Sequence, residues 1–205
     1  MTRELASIGV DTVDCADARA FRAGPGVTWV VDDGSGSAPA LLECLAGVVQ
    51  PAGVTRVWND RPAAAADLVG WQRRTTLVPD RPWEAGHLSV RGALRLAALL
   101  WNLTGVRSRD AIDRESARWG LDPLRRRRLG HLSGGEMRRL LLAASLLPDP
   151  LVWLVVGGAK DLDAPGRAVW AAVLTRVHFG LGQAPRVAVV TGELDPALAT
   201  VRVRV

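Results

Sequence analysis

The sequence predicts an α/β fold, a largely parallel sheet with an antiparallel edge and a helical insertion. Three observations carry that expectation. Short, wholly apolar runs alternate with segments of helical periodicity, the pattern of strands buried on both faces of a parallel sheet. A glycine-rich turn follows the first apolar run and leads into a helix. A long helical stretch, residues 88–128, separates two of the expected strands.

The first strand is Gly26–Val31 (GVTWVV), β-branched and apolar, and it runs into the turn-forming residues 32–37. A helix follows, with Pro39 suited to its first turn, Leu41, Leu42 and Leu45 on the inner face and Gly47 near the end. Strand, glycine turn and helix form a phosphate-site layout. Thr75–Val78 reads as a second strand, interrupted by Pro79 and Pro82. Within the helical stretch, residues 94–103 are almost wholly apolar and are expected to be buried. Pro148 and Pro150 stop a later helix, and residues 151–156 (LVWLVV) form a continuous apolar strand. A helix over 167–177, a buried strand over 186–191 and an edge strand over 201–205, where valine alternates with arginine, complete the chain.

Composition narrows the function classes. At 205 residues the chain matches about one large domain, and 48% hydrophobic with 23% charged residues excludes a disordered polymer. The two cysteines, Cys15 and Cys44, have neither CxxC spacing nor a nearby histidine, so neither a zinc site nor a disulfide framework is expected, and a reducing cytoplasm is. The strongest apolar runs, 140–147 and 151–156, are too short to cross a membrane, and a chain neither exported nor transmembrane is expected. The net charge is +5, almost all of the basic residues are arginine, and Lys160 is the only lysine. The one basic block, residues 125–128, reads as the solvated end of a helix. With no tyrosine, two phenylalanines and eight scattered tryptophans, stacking surfaces for bases are scarce, and no nucleic-acid partner is expected.

The richest segment is Leu132-Ser133-Gly134-Gly135-Glu136. Serine and glutamate three residues apart form a capping-box pattern, after which Met137, Leu140, Leu141, Ala144 and Leu147 repeat at helical spacing. A capped helix explains Ser133 and Glu136 but not two consecutive glycines, which cost entropy at an ordinary helix start. Together with Asp149-Pro150, the apolar strand and Leu162-Asp163 in register, the segment resembles the signature motif of the ATP-binding subunits of ABC transporters, over almost the whole chain. The resemblance implies the P-loop NTPase fold of that family in a single domain, with a core of about 1–82 and 131–205 and a helical subdomain of about 83–130. It assigns Ser133, Gly134, Gly135 and Glu136 to a signature that covers a nucleotide held by a partner, Asp163 to the D-loop, and Gly34, Ser35, Gly36 and Ser37 to the phosphate loop.

Departures from the family pattern are as informative. The family's phosphate loop needs a lysine to reach the β- and γ-phosphates and a Ser or Thr hydroxyl to hold magnesium; the loop here has no lysine, Pro39 removes an amide, and Asp32 and Asp33 bring negative charge. Val156 and Gly157 stand where the family has its magnesium-linked aspartate and catalytic glutamate, Gly192 stands at the switch histidine, and Asp80 stands near the Q-loop glutamine. No aromatic residue lies between Leu5 and Ala20 to stack on adenine. No catalytic residue and no metal ligand is therefore assigned, and no magnesium is expected at the chain's own site.

The reading that follows is a catalytically degenerate subunit that lends its signature in trans to the ATP site of an intact partner subunit, or of a second copy, and couples to an integral membrane permease. ATP is the implied ligand, held at the interface with that partner, and the implied location is the cytoplasmic face of the cell membrane. Two alternatives stay open: a residual ATPase drawing on Asp161 or Asp163, and a regulatory scaffold that binds no nucleotide. His87, His131 and His178 read as loop or core residues. Trp83 and Trp101 read as packing within the insertion, although residues 80–83 resemble the family's contact with the permease.

Overall fold

A computed structural model describes residues 8–12, 21–32, 35–49, 54–58, 61–62, 68–81, 83–181 and 185–205. In chain order its strands and helices are β1 (Ile8–Thr12), β2 (Phe21–Ala23), β3 (Gly26–Val31), α1 (Ser37–Ala46), β4 (Val54–Trp58), β5 (Arg61–Pro62), α2 (Leu68–Gln72), β6 (Thr75–Val78), α3 (Val90–Leu100), α4 (Gly105–Arg118), α5 (Gly134–Leu146), β7 (Val152–Val155), α6 (Ala164–His178), β8 (Val187–Thr191) and β9 (Val201–Arg204). Two sheets result, a parallel one in the order β6-β7-β8-β3-β9 and an antiparallel one in the order β2-β1-β4-β5.

The parallel sheet is the expected one. All four residues of β7 and all five of β8 are buried, as continuous apolar runs require when both faces are covered. Alternation along these strands divides the core. Val152, Leu154, Val187 and Val189 join α1 and the antiparallel sheet on one side, whereas Trp153, Val155, Ala188 and Val190 join α3, α5 and α6 on the other. Each fully buried side chain of this kind contributes about 1.5–3 kcal/mol. The edge strand β9 pairs with β3 in parallel, and its Arg202 guanidinium lies 4.7 Å from the centre of the Trp29 ring. The antiparallel component is a sheet of its own, and β1, β2, β4 and β5 were not foreseen from the sequence.

Two expectations are corrected. The 94–103 stretch is not wholly buried: Leu94, Ala97 and Ala98 face α4 and α5, but Leu99 is 64% and Leu100 79% exposed, and Leu96 is exposed as well. Helix α3 is covered on one side only, so the leucines on its opposite side meet solvent. The basic block 125–128 is not a helix end but the turn between two short 3-10 segments, Asp122–Leu124 and Leu129–His131. Arg125 bonds Asp113 and Asp122, and Arg127 bonds Glu136 and the His131 carbonyl, so two of its four arginines staple the turn to its neighbours. Among the described residues no helix is long and apolar enough to cross a membrane.

Candidate functional site

The loop between β3 and α1 carries the candidate phosphate loop, of which Gly34 lies outside the described residues. Gly36 caps α1 with φ 78°, a left-handed conformation that glycine adopts without strain. The Asp32 carboxylate folds back over the helix start: one oxygen accepts from the Gly36 amide at 3.2 Å and the other from the Ala38 amide at 3.3 Å. The Ser37 amide donates to Ser35 Oγ at 3.2 Å, and the Ser35 hydroxyl donates to Ser37 Oγ at 2.8 Å. The loop is thus held by its own acidic and hydroxyl side chains, and neither a lysine nor a threonine stands in it. These residues do not fit a magnesium-bound triphosphate.

The second part is the start of α5. Ser133 is its N-cap, its side chain accepting from the Glu136 amide at 3.2 Å while Glu136 Oε2 accepts from the Ser133 amide at 2.8 Å. The expected capping box is present, and the Glu136 carboxylate is further bonded to Arg127 at 2.8 Å. That arrangement occupies two of the amides at the helix start; those of Gly134 and Gly135 have no acceptor among the described residues. Ser133 and Gly134 are exposed, while Gly135 is half-buried. The two glycines differ in purpose. A side chain at Gly134 would meet only Asp161 Cβ at 3.9 Å, but one at Gly135 would lie 3.0 Å from the Asp161 carbonyl and 3.2 Å from the Asp163 amide. Gly135 therefore serves close packing against residues 161–163, and Gly134 leaves the open approach.

Asp163 lies beside this helix start. Its side chain caps α6 by accepting from the Gly166 amide at 2.9 Å, and it pairs with Arg139 at 3.1 Å. That cap begins α6 at Ala164, three residues before the expected start. Ser133, Gly134, Asp80, Arg138 and Asp161 line a cavity of about 250 Å3.

The third part is the ends of β6, β7 and β8. Val156 and Gly157 bring no carboxylate there. Instead, the Arg138 guanidinium, only 5% exposed, donates to the carbonyls of Pro79 at 3.0 Å, Val156 at 2.6 Å and Gly158 at 3.0 Å. Burial pulls its pKa down, and the Asp80 and Asp161 carboxylates oppose that shift. The sole lysine, Lys160, is paired with Asp80 at 3.1 Å. Gly157, Gly158 and Gly192 all have positive φ; Gly192 packs on the Gly157 backbone, and a side chain at Gly158 would run into the Glu193 carbonyl. Sequence reasoning missed Arg138, although its spacing to Leu141, Leu142 and Ser145 puts it on the buried face of α5. It also missed the Lys160–Asp80 pair, which no sequence pattern announces.

The remaining candidates fall elsewhere. His178 Nδ1 lies 3.1 Å from Thr200 Oγ1, and His87 and His131 are exposed. Trp83, Trp101, Pro79 and Leu100 line a separate cleft of about 100 Å3 between α3, α5 and β6. Among the described residues no cluster of His, Cys, Asp and Glu could hold a metal ion.

No family model matches the chain. It is 33% identical over 159 residues, 77% of its own length, to the zinc import ATP-binding protein ZnuC of Cereibacter sphaeroides, and 31% identical over 154 residues, 71% of its length, to the molybdenum import ATP-binding protein ModC of Rhodospirillum rubrum. It spans 58% and 40% of those two proteins. Among solved structures, an ATP-binding subunit of an ABC transporter aligns over 93% of this chain and 80% of its own, with a TM-score of 0.76 at 13% identity. An ABC transporter ATP-binding protein described as putative, from Pyrococcus furiosus, aligns over 97% of this chain and 96% of its own, with a TM-score of 0.74 at 14% identity. In sequence this chain is similar to ABC transporter ATP-binding proteins over part of their length, and it shares the fold of ABC transporter ATP-binding subunits.

Proposed function

We propose that this chain is a transporter subunit that has given up hydrolysis at its own phosphate loop and lends the start of α5 to an ATP bound by an intact partner subunit, or by a second copy. The observation that carries this reading is a contrast between two helix starts. At α1 the amides are bonded to Asp32 and Ser35, whereas at α5 the Gly134 and Gly135 amides have no acceptor among the described residues, and Ser133 and Gly134 are exposed. Backbone amides at a helix start, backed by the helix dipole, suit the γ-phosphate of a nucleotide delivered by another chain. Phosphoryl transfer depends on positioned charge, and a loop without lysine beside a strand end without carboxylate offers little of it.

In this reading Ser133, Gly134 and Gly135 contact phosphate, Glu136 holds the capping box, and Asp163 holds residues 161–163 against Gly135. A membrane permease is the second partner, met through the helical subdomain at about 83–130, and the subunit sits on the cytoplasmic face of the membrane. ATP turnover by a reconstituted pair of this chain and an intact subunit tests the reading. Ser133→Ala costs about 1 kcal/mol of helix capping, so the chain stays folded while partner-dependent turnover is lost. Gly134→Arg blocks the open approach with the same result. Unchanged turnover with both variants rejects the trans role in favour of a scaffold that binds no nucleotide.

A further inference from the structure

The first four amides of an α-helix have no partner within the helix, so they are what a helix start offers to a phosphate. At α1 those four positions are Gly36, Ser37, Ala38 and Pro39. Gly36 and Ala38 each donate to a different oxygen of Asp32, Ser37 donates to Ser35 Oγ, and Pro39 has no N–H. The account closes with nothing left over. No acidic residue stands in the first turn of α1 itself, so the carboxylate that complements its dipole comes from Asp32 at the end of the preceding strand.

We infer that Asp32 is an intramolecular stand-in for phosphate, an anion built into the chain that keeps the start of α1 closed to nucleotide. The inference rests on the family reading above, because it is the family's phosphate loop that is being closed. It goes beyond the missing lysine: a helix start lacking only lysine would still present its amides to a phosphate, and at the start of α1 these are already taken. A carboxylate with each oxygen on a separate amide supplies the negative charge that the helix start favours, and it is tethered, so a free phosphate must displace it before reaching the same donors. A further consequence is asymmetry. In any pairing, the chain's own loop stays empty of nucleotide whatever the partner presents to it, and only the α5 side is available for ligand.

The experiment is thermal unfolding and calorimetric titration of the full chain with pyrophosphate, with ATP, and with chloride as an ionic-strength control. The unsubstituted protein is expected to show no anion-specific stabilisation. Asp32→Ala lowers the midpoint, because two amides lose their acceptor, and pyrophosphate then restores it. Its affinity for pyrophosphate rises at least about tenfold over the unsubstituted chain, the effect of releasing one charge-assisted hydrogen bond. Asp32→Asn keeps the shape and one acceptor oxygen, folds as the unsubstituted chain does, and gains less. Glu43→Gln, at an exposed position nearer the other end of α1, makes the same change in net charge and gains nothing.

Equal pyrophosphate binding by the unsubstituted chain and both Asp32 variants overturns the inference, as does a gain by Glu43→Gln matching that of Asp32→Asn. The trans role is read by a different assay, partner-dependent turnover with Ser133→Ala. Failure there with the Asp32 result as expected rejects the trans role alone, and the reverse outcome rejects the closed loop alone.

Discussion

The Arg139 guanidinium lies 3.1 Å from Asp163 Oδ2, joining α5, which begins at Gly134 and Gly135, to the cap of the helix that follows β7. Asp163 thus has two attachments, the Gly166 amide and Arg139, and residues 161–163 are pressed against Gly135 between them. Asp163→Ala removes both, with an expected cost of about 1–2 kcal/mol, most of it from the cap, since an ion pair whose carboxylate is partly open to solvent contributes about 1 kcal/mol or less. Asp163→Asn keeps an acceptor for Gly166 and costs less. Urea unfolding of the two variants separates cap from ion pair, and equal losses would assign the whole effect to the charge.

Arg138 makes a stronger claim on stability. Its fork satisfies three carbonyls at the ends of β6 and β7, and Arg138→Met leaves those carbonyls buried without a donor. The expected loss is about 2–3 kcal/mol by urea unfolding. Arg138→Lys recovers only part of it, because a single ammonium cannot reach three acceptors in the geometry of a planar guanidinium. A fully stable Arg138→Met would show that the carbonyls find other donors.

Much of this architecture was legible in the residues, and what was not has a physical reason. The wholly apolar runs of β7 and β8 and the Ser133–Glu136 capping box are local signals, and each element formed where its signal stood. β1 and β4 are different: IGVDT and VTRVW have mixed patterns, and they become strands because Ile8 pairs with Trp58 and Thr12 with Val54 across more than forty residues. Leu99 and Leu100 show the converse, since a run of apolar residues does not reveal that only one side of α3 will be covered. In the candidate site, the negative charge of Asp32 was readable beside the loop. Its attachment to two specific amides depends on the left-handed turn at Gly36, which only the folded loop displays.

Acid sensitivity has an identifiable surface contributor. A hydrogen bond from Arg167, at 2.6 Å, holds the Glu193 pKa below the ordinary carboxylate value, with burial opposing and the Coulombic attraction of Arg167 adding to the fall. A folded-state pKa below the unfolded one means that the pair stabilises the fold above the unfolded value and that this stabilisation is lost as pH falls through the folded value. Glu193→Gln therefore flattens the acid limb of the stability curve while leaving the neutral-to-alkaline region level with the parent apart from a small constant offset. Parallel acid limbs in the two proteins would show that the pair does not contribute.

If the chain does not hydrolyse ATP at its own loop, as proposed above, replacing single residues is not expected to supply that activity, and the geometry at Gly157 bears on why. Its φ is 84°, a conformation that costs a residue with a side chain about 1–2 kcal/mol, and a Cβ there would lie 2.8 Å from Asp80 Oδ1. Gly157→Glu therefore strains the turn and sets a second carboxylate against Asp80, whose charge is already matched by Lys160. A lower unfolding midpoint and no ATP turnover are expected. Ser37→Lys fails for a different reason: the new ammonium sits beside the Asp32 carboxylate, which neutralises it and goes on holding the Gly36 and Ala38 amides. The double variant is expected to be as inactive as either alone, because the loop stays closed and the strand end stays distorted. Magnesium-dependent turnover by Gly157→Glu with Ser37→Lys, in chain purified to homogeneity and without a partner, would show that the loop opens on demand and that the site needs only its two missing side chains.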